Sequence, residues 1–318
     1  MGLADIYKKG EKELRMRDIG FLLDGVETEF VISNNRRILD QYTIRQRCID
    51  GVMPTTECTV LGVNLKTPII MSAMTMPIPA IVENGLMEVA KGLHAAGSLI
   101  WTGTPIPSNL EEIVAIGVPV AANVKPQADR EKMFDSIEKI QAAGVNWIGI
   151  EIDSGQGTKV HDRQMASDCS PLSLDELKEI RKRVSIPIIF KGVLSKEDAQ
   201  KSLEAGADGI FLSNHGAHTL DYLPHPFQVM DEIVQIIKDE AAIIVDSGFR
   251  RGSDIFKGLA FGAQVVGLGR PILYGLAANG AEGVRNIIEE MTEELKRFMS
   301  MTGSVDPEHV ERDLMIKG

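Results

Sequence analysis

From Pro68 onward the chain alternates between short apolar runs and longer stretches of helical periodicity, and this alternation constrains the fold more than any other feature. The strand-like runs are 68–73, 98–102, 118–123, 147–152, 186–190, 209–213, 242–246 and 265–268. Helical patterns fill the intervals, at 80–96, 130–143, 173–184, 196–205, 226–240 and 252–261. Ala96-Gly97, Ala143-Gly144, Ala205-Gly206 and Phe261-Gly262 carry a small or apolar residue followed by glycine, which stops a helix and turns the chain back toward a strand. A doubly wound sheet rarely needs eight parallel strands of such even spacing. The fold class read from the pattern is therefore α/β, a (β/α)8 barrel.

Residues 1–66 have a different texture and read as an N-terminal extension packing on a barrel of residues 67–318. An amphipathic helix is expected over 4–18 and a second, arginine-dense one over 34–49, its arginines mostly on a solvated face. A hairpin is expected around Gly62. The formal net charge of −11 leaves no basic surplus for nucleic acid or an anionic membrane. No apolar run reaches membrane-spanning length, and the N-terminus lacks the apolar region of a secretory leader. The three cysteines, Cys48, Cys58 and Cys169, have no metal-binding spacing and are expected as reduced thiols in the cytoplasm.

In a parallel α/β barrel, chemistry belongs at the C-terminal ends of the strands. His215 follows the run 209–213 in the turn Ser213-Asn214-His215-Gly216, and histidine is the side chain suited to proton abstraction near neutral pH. Capping that turn is its blander role. The fourth run ends Glu151-Ile152-Asp153, so alternation turns both carboxylates inward, and Asp153 is placed to orient a protonated His215. Lys191 directly follows the fifth run, where it serves as a Schiff-base former, a counter-charge to an anionic cofactor or substrate, or half of a structural ion pair. Asp246-Ser247-Gly248-Phe249-Arg250-Arg251-Gly252 and Gly267-Leu268-Gly269-Arg270 come after the last two runs, where barrels hold phosphate on backbone N–H groups. Arg250 and Arg270 are the cations of that cradle. The longest insertion, 153–171, carries His161, Arg163 and Cys169 and is expected over the mouth. No metal ligand set is visible.

These segments together resemble the FMN-dependent 2-hydroxy acid oxidase and dehydrogenase family. The resemblance is strongest over 186–285 and rests on Lys191-Gly192, Ser213-Asn214-His215-Gly216, Leu220-Asp221, the stretch 246–257 and Gly269-Arg270-Pro271. It implies FMN across the barrel mouth, His215 as the base, Asp153 as its partner and Lys191 beside the flavin N1–C2=O edge. It further implies ribityl contact by Asp246 and phosphate contact by Arg250, Gly269 and Arg270. Ala73, Thr102, Asn123, Glu151, Ser213, Ser247 and Gly248 complete the implied cofactor set, with Glu151 accepting the flavin N3–H. A homotetramer is implied as well.

The substrate half departs from that pattern. The family's His-Gly-Gly-Arg-Gln-Leu-Asp reads His215-Gly216-Ala217-His218-Thr219-Leu220-Asp221 here, so His218 replaces the arginine that grips the substrate carboxylate. The family's Gln-x-Tyr is replaced around Ala122-Asn123-Val124-Lys125. A protonated His218, Lys125 and Arg163 are the candidates to take over substrate binding. The leading reading is oxidation of a 2-hydroxy acid or related hydroxylated small molecule. The competing readings are an FMN-dependent isomerase of the type 2 isopentenyl diphosphate kind and a non-catalytic flavin- or ligand-binding barrel.

Overall fold

The structure is a computed structural model that describes residues 2–160, 163–165 and 168–318, with side chains described at all of these except 159, 160 and 163–165. The eight expected runs form one parallel sheet: β1 Ile69–Met71, β2 Ile100–Thr102, β3 Val120–Val124, β4 Trp147–Glu151, β5 Ile188–Val193, β6 Gly209–Leu212, β7 Ala242–Val245 and β8 Val265–Leu268. From β2 to β8 each strand pairs with its neighbours in sequence, and β8 returns to pair with β1. Between β1 and β2 the circuit is bridged by Met71 N–H to Leu99 O (3.0 Å) and Met74 N–H to Trp101 O (3.1 Å). The α/β barrel expected from the alternation is the observed fold.

The strands are buried on both faces, which is why they read as continuous apolar runs. Alternate residues divide between two cores. Ile70, Trp101, Ala121, Trp147, Ile189, Phe211 and Ile244 fill the barrel interior, while Met71, Ile100, Val120, Ile148, Phe190, Leu212 and Val245 face the surrounding helices. The hairpin Cys58–Val60/Val63–Leu65 adds Val60, Val63 and Leu65 to the interior cluster. Its turn residues Leu61 and Gly62 both have positive φ (46° and 78°), as a two-residue hairpin turn requires. Trp147 Nε1–H donates to Leu61 O (3.2 Å), fastening the hairpin to the strand bundle.

Several expected boundaries shift for physical reasons. The arginine-rich helix spans Phe30–Asp40 rather than 34–49, because the distant Asp221 carboxylate accepts from Thr28 N–H (3.0 Å) and Val31 N–H (3.2 Å) and fixes an earlier start. The next element is a strand, Tyr42–Ile44, paired antiparallel with Met315–Lys317. Arg36 of the helix is no solvated charge: both its Nη atoms donate to the buried Asp254 (2.8 Å each), tying this helix to Gly252–Ala260. The pattern over 80–96 divides into Pro77–Ile81 and Gly85–Ala96, separated by an extended Val82. The pattern over 226–240 divides into a 3-10 turn, Pro226–Gln228, and the helix Met230–Ile237. The helix Arg270–Ser300, with non-helical Asn279 and Gly280 inside it, has no counterpart among the expected elements. Helix Leu3–Met16 packs along it, with Tyr7 and Tyr274 rings 5.3 Å apart, and Leu3, Ile6 and Leu14 belong to the same core as the barrel helices.

Among the described residues no helix is long and apolar enough to cross a membrane.

Candidate active site

One cavity opens at the C-terminal ends of the barrel strands. Its wall takes Ser72 and Ala73 after β1, Lys125 after β3, Glu151 at the end of β4, Lys191 in β5, His215 and His218 after β6, Asp246–Arg250 after β7, and Gly269 and Arg270 after β8. Leu22 reaches the same cavity from the N-terminal segment.

His215 is delivered by a run of left-handed backbone, with φ of 55° at His215, 60° at Gly216 and 71° at Ala217. Non-glycine residues adopt this region at a cost of about 1–3 kcal/mol each, so the surroundings must hold them there. They do: His215 N–H donates to Ser213 Oγ (3.0 Å) and Val26 N–H donates to Ala217 O (3.0 Å). Asn214 exchanges two side-chain hydrogen bonds with Asn35 (3.2 and 2.6 Å), and its N–H donates to Ser247 Oγ (3.1 Å). The turn is thus pinned to the Phe30–Asp40 helix and to the loop after β7. The His215 ring bonds Asp153 Oδ2 through Nδ1 at 2.8 Å, leaving Nε2 without a partner among the described residues.

Asp153 and Glu151 lie within the field of Lys191. Burial alone would raise both carboxyls, but His215 and Lys191 outweigh it and hold them below the usual carboxylate range. Burial likewise opposes the Lys191 ammonium, yet Asp153, Glu151 and Asp246 keep its pKa above the ordinary lysine value. Lys191 Nζ lies 3.4 Å from His215 Nδ1. A permanent positive charge, two ionised carboxylates and a histidine therefore share one buried pocket.

Behind the wall, Trp101 Nε1–H donates to Asn123 Oδ1 (2.6 Å) and Asn123 Nδ2 donates to Glu151 Oε1 (2.9 Å), a chain that fixes the Glu151 carboxylate. On the opposite side Asp246 accepts from Ser72 Oγ (3.0 Å) and from Ser247 Oγ (3.0 Å).

Not every expected site residue reaches the cavity. Thr102 is fully buried with its hydroxyl directed at Ala121 O (3.4 Å), Asn123 stands one layer back as the Glu151 orienter, and Ser213 is spent on the His215 turn. The side chain of Arg163 and all of His161 lie outside the described residues. His218 lines the cavity but is no cation: burial first, then the nearby Arg270 charge, pushes its pKa down to about 3. Ser72, Thr158 and Leu22 were not among the expected site residues; Leu22 comes from an irregular turn that carries no pattern.

The residues fit a bound flavin mononucleotide. The Arg250 guanidinium has no partner among the described residues, at the N-terminal side of the helix Gly252–Ala260. Arg270 opens the helix that follows β8 and keeps a buried Nε with no hydrogen-bond partner among the described residues. An unpaired guanidinium, an orphaned donor and two helix N-termini suit a phosphate. The Ser72–Asp246 pair suits sugar-like hydroxyls, and the Lys191 charge suits an electron-rich ring that gains negative charge on reduction. Arg270 is also committed to protein, since Nη2 donates to Asp24 O (3.1 Å) and Gly216 O (2.9 Å).

Comparison with known proteins agrees with this chemistry. The L-lactate oxidase of Lentilactobacillus hilgardii is 29% identical, over 96% of this chain and 91% of its own length. Glycolate oxidase 3 of Arabidopsis thaliana is 28% identical, over 93% of this chain and 90% of its own. A mandelate oxidase crystal structure superposes with a TM-score of 0.90 at 26% identity, covering 99% of this chain and 97% of that one. The Pediococcus acidilactici lactate oxidase superposes with a TM-score of 0.91 at 27% identity, covering 100% and 95%. The sequence profile of the FMN-dependent dehydrogenases matches residues 11–169 and 155–317. This chain belongs to the FMN-dependent dehydrogenase family.

Proposed function

We propose that this protein oxidises a 2-hydroxy acid to the corresponding 2-keto acid. The single observation that carries the reading is the His215–Asp153 pair: His215 lines the cavity, and Asp153 holds its Nδ1 from behind at 2.8 Å. Bound FMN supplies the two-electron acceptor for the hydride equivalent. His215 Nε2 takes one proton from the substrate CH–OH group, and the Asp153 carboxylate stabilises the imidazolium that results. Lys191 balances negative charge gained at the cofactor, and Glu151, Ala73, Asp246, Ser247 and Gly248 bind and orient it. Arg250, Gly269 and Arg270 hold its phosphate. Thr102, Asn123 and Ser213 support the wall from behind. Residues 1–66 serve as an extension of the barrel that closes one side of the mouth through Leu22. A homo-oligomer, a tetramer by family likeness, is supported by the exposed apolar side chains of Ile49 and Met53, 89% and 97% exposed. Cytoplasmic placement accords with cysteines that are all unpaired.

The test is an anaerobic titration of the purified flavoprotein with L-lactate, glycolate and mandelate, followed by absorbance. Bleaching of the flavin bands by at least one of them is expected. A flavin that no 2-hydroxy acid bleaches would overturn the assignment.

A further inference from the structure

We propose that Lys125, together with the hydroxyl of Thr158, is the anchor that grips the substrate carboxylate in this protein. The proposal rests on the hydroxy-acid reading above for its substrate class, and on the geometry of the cavity wall for its residues.

Among the cations that line the cavity, Lys125 is the one that neither a protein group nor the FMN phosphate accounts for. Lys191 stands among Asp153, Glu151 and Asp246, and His215 is bonded to Asp153. His218 is neutral, and Arg270 is bound to the backbone carbonyls of Asp24 and Gly216. The Arg250 guanidinium, without a protein partner among the described residues, is the one assigned above to the FMN phosphate, at the N-terminal side of the helix Gly252–Ala260. Lys125 is different. It directly follows β3, is only 8% exposed, lines the cavity, and among the described residues has no carboxylate within ion-pair distance.

Its one hydrogen-bond partner among the described residues is Thr158 Oγ1, at 2.9 Å, on a residue that is itself 9% exposed and lines the cavity. A buried ammonium with a single hydroxyl acceptor is an incomplete arrangement, since it holds three donors. In that bond Thr158 is the acceptor, so its own O–H remains free to donate. Two ammonium N–H groups and one hydroxyl thus converge on the cavity without acceptors among the described residues. Glu151 feels the Lys125 charge, but its oxygens are turned to Asn123 (2.9 Å) and Ser154 (3.5 Å). Cys169, also in that field, offers no counter-charge because burial pushes its thiol pKa upward. The missing counter-ion is an anion from solution, and a carboxylate accepts from all three donors.

A lysine is a compact point charge, without the planar fork with which an arginine recognises a carboxylate. The anchor therefore confers charge selection with loose orientation, and Thr158, from the strand Thr158–Val160 of the long loop, supplies the second fixed point.

The experiment is calorimetric titration of the oxidised flavoprotein with pyruvate, the keto acid formed from lactate. Lys125→Met is expected to weaken pyruvate binding about 10- to 100-fold, the loss typical of one buried charge-assisted contact. Thr158→Val should weaken it several-fold, and Lys125→Arg should retain most of the affinity, with the flavin spectrum unchanged in each variant. Kinetically, the wild type should prefer lactate to lactamide, and Lys125→Met should erase that preference. Pyruvate affinity that is unchanged in Thr158→Val and in any folded Lys125→Met protein overturns the proposal, as does a wild type that binds no pyruvate. So does loss of binding in Arg163→Met alone. Lys125-dependent pyruvate binding without flavin bleaching by any hydroxy acid leaves the anchor standing and sinks the oxidase reading. Bleaching unaffected by Lys125→Met does the reverse.

Discussion

Asp153 Oδ2 lies 2.8 Å from His215 Nδ1, and this one bond joins the loop after β4 to the loop after β6. It fixes which ring nitrogen faces the cavity. With Nδ1 committed to a carboxylate, Nε2 is the atom free to take a proton, and the carboxylate favours the protonated ring that results. Asp153→Asn keeps the shape and removes the charge. We expect an approximately hundred-fold or larger fall in the rate of flavin reduction, within the range typical of lost acid–base assistance, with little change in flavin content. Anaerobic stopped-flow absorbance measures it, and a rate within about threefold of wild type would remove Asp153 from the mechanism.

Arg250 and Arg270 come after adjacent strands but differ in what else they hold. Arg250 contributes no guanidinium bond to the protein among the described residues, whereas Arg270 carries the Asp24 and Gly216 carbonyls. Arg250→Ala should weaken FMN binding about tenfold or more and leave the melting temperature of the apoprotein near wild type. Arg270→Ala should weaken FMN and also destabilise the apoprotein, by about 1–3 kcal/mol for the loss of its two hydrogen bonds to the Asp24 and Gly216 carbonyls. Fluorescence titration of FMN and urea unfolding of the apoprotein separate the two effects. Equal unfolding midpoints in both variants would contradict this division of roles.

His225 predicts an acid-side loss of stability that does not involve catalysis. The residue is fully buried, with Nδ1 accepting from Phe227 N–H (3.1 Å) and Nε2 donating to Ser247 O (2.9 Å). Protonation would set two N–H groups against each other, and burial, the largest influence, drives the pKa down to about 3. A histidine lowered in the folded state stabilises the fold fully above its unfolded pKa, near 6.5, and loses that contribution as pH falls toward 3. Between about pH 6.5 and 5.0 the loss from this side chain is about 1.5 kcal/mol, in a window above most carboxylate titration. Urea unfolding at both pH values should show a drop shallower by that amount in His225→Gln. An identical drop would reject the assignment.

How far the fold could be read in advance depends on where its information lies. The eight strands were legible because burial on both faces makes each a continuous apolar run, and the glycines that end the helices mark the returns. The Asp153–His215 and Lys191 grouping was legible because alternation at strand ends points side chains into one mouth. Arg270–Ser300 was not, since the non-helical Asn279 (φ −161°) and Gly280 (φ 56°) interrupt its pattern. The Phe30–Asp40 start was hidden because its capping carboxylate, Asp221, comes from a distant loop. The same limit applied to Lys125: its position was visible, but its partner Thr158 arrives from an insertion with no periodicity.

The chain Trp101–Asn123–Glu151 yields a last prediction, through a glycine rather than through its own members. Gly149 lies in β4, and a Cβ there would overlap Asn123 Oδ1. The glycine thus gives the Asn123 amide room to accept from Trp101 (2.6 Å) while donating to Glu151 (2.9 Å). Gly149→Ala must push the amide off one partner or the other, combining overpacking with a lost buried hydrogen bond. The expected destabilisation is about 2–4 kcal/mol. Asn123→Ala is also destabilising, because it removes the partners of the Trp101 N–H and of Glu151 Oε1. In the double variant, however, the methyl group introduced in place of Gly149 occupies space the amide has vacated, so most of the overpacking is relieved and only the Trp101 Cζ2 contact at 3.0 Å is left to adjust. The double-mutant cycle should therefore give a favourable coupling of at least about 1 kcal/mol, well outside the roughly 0.5 kcal/mol scatter of independent sites. Additivity within that scatter would show that Gly149 is not held glycine by Asn123, and that the Glu151 carboxylate is positioned by something other than this chain.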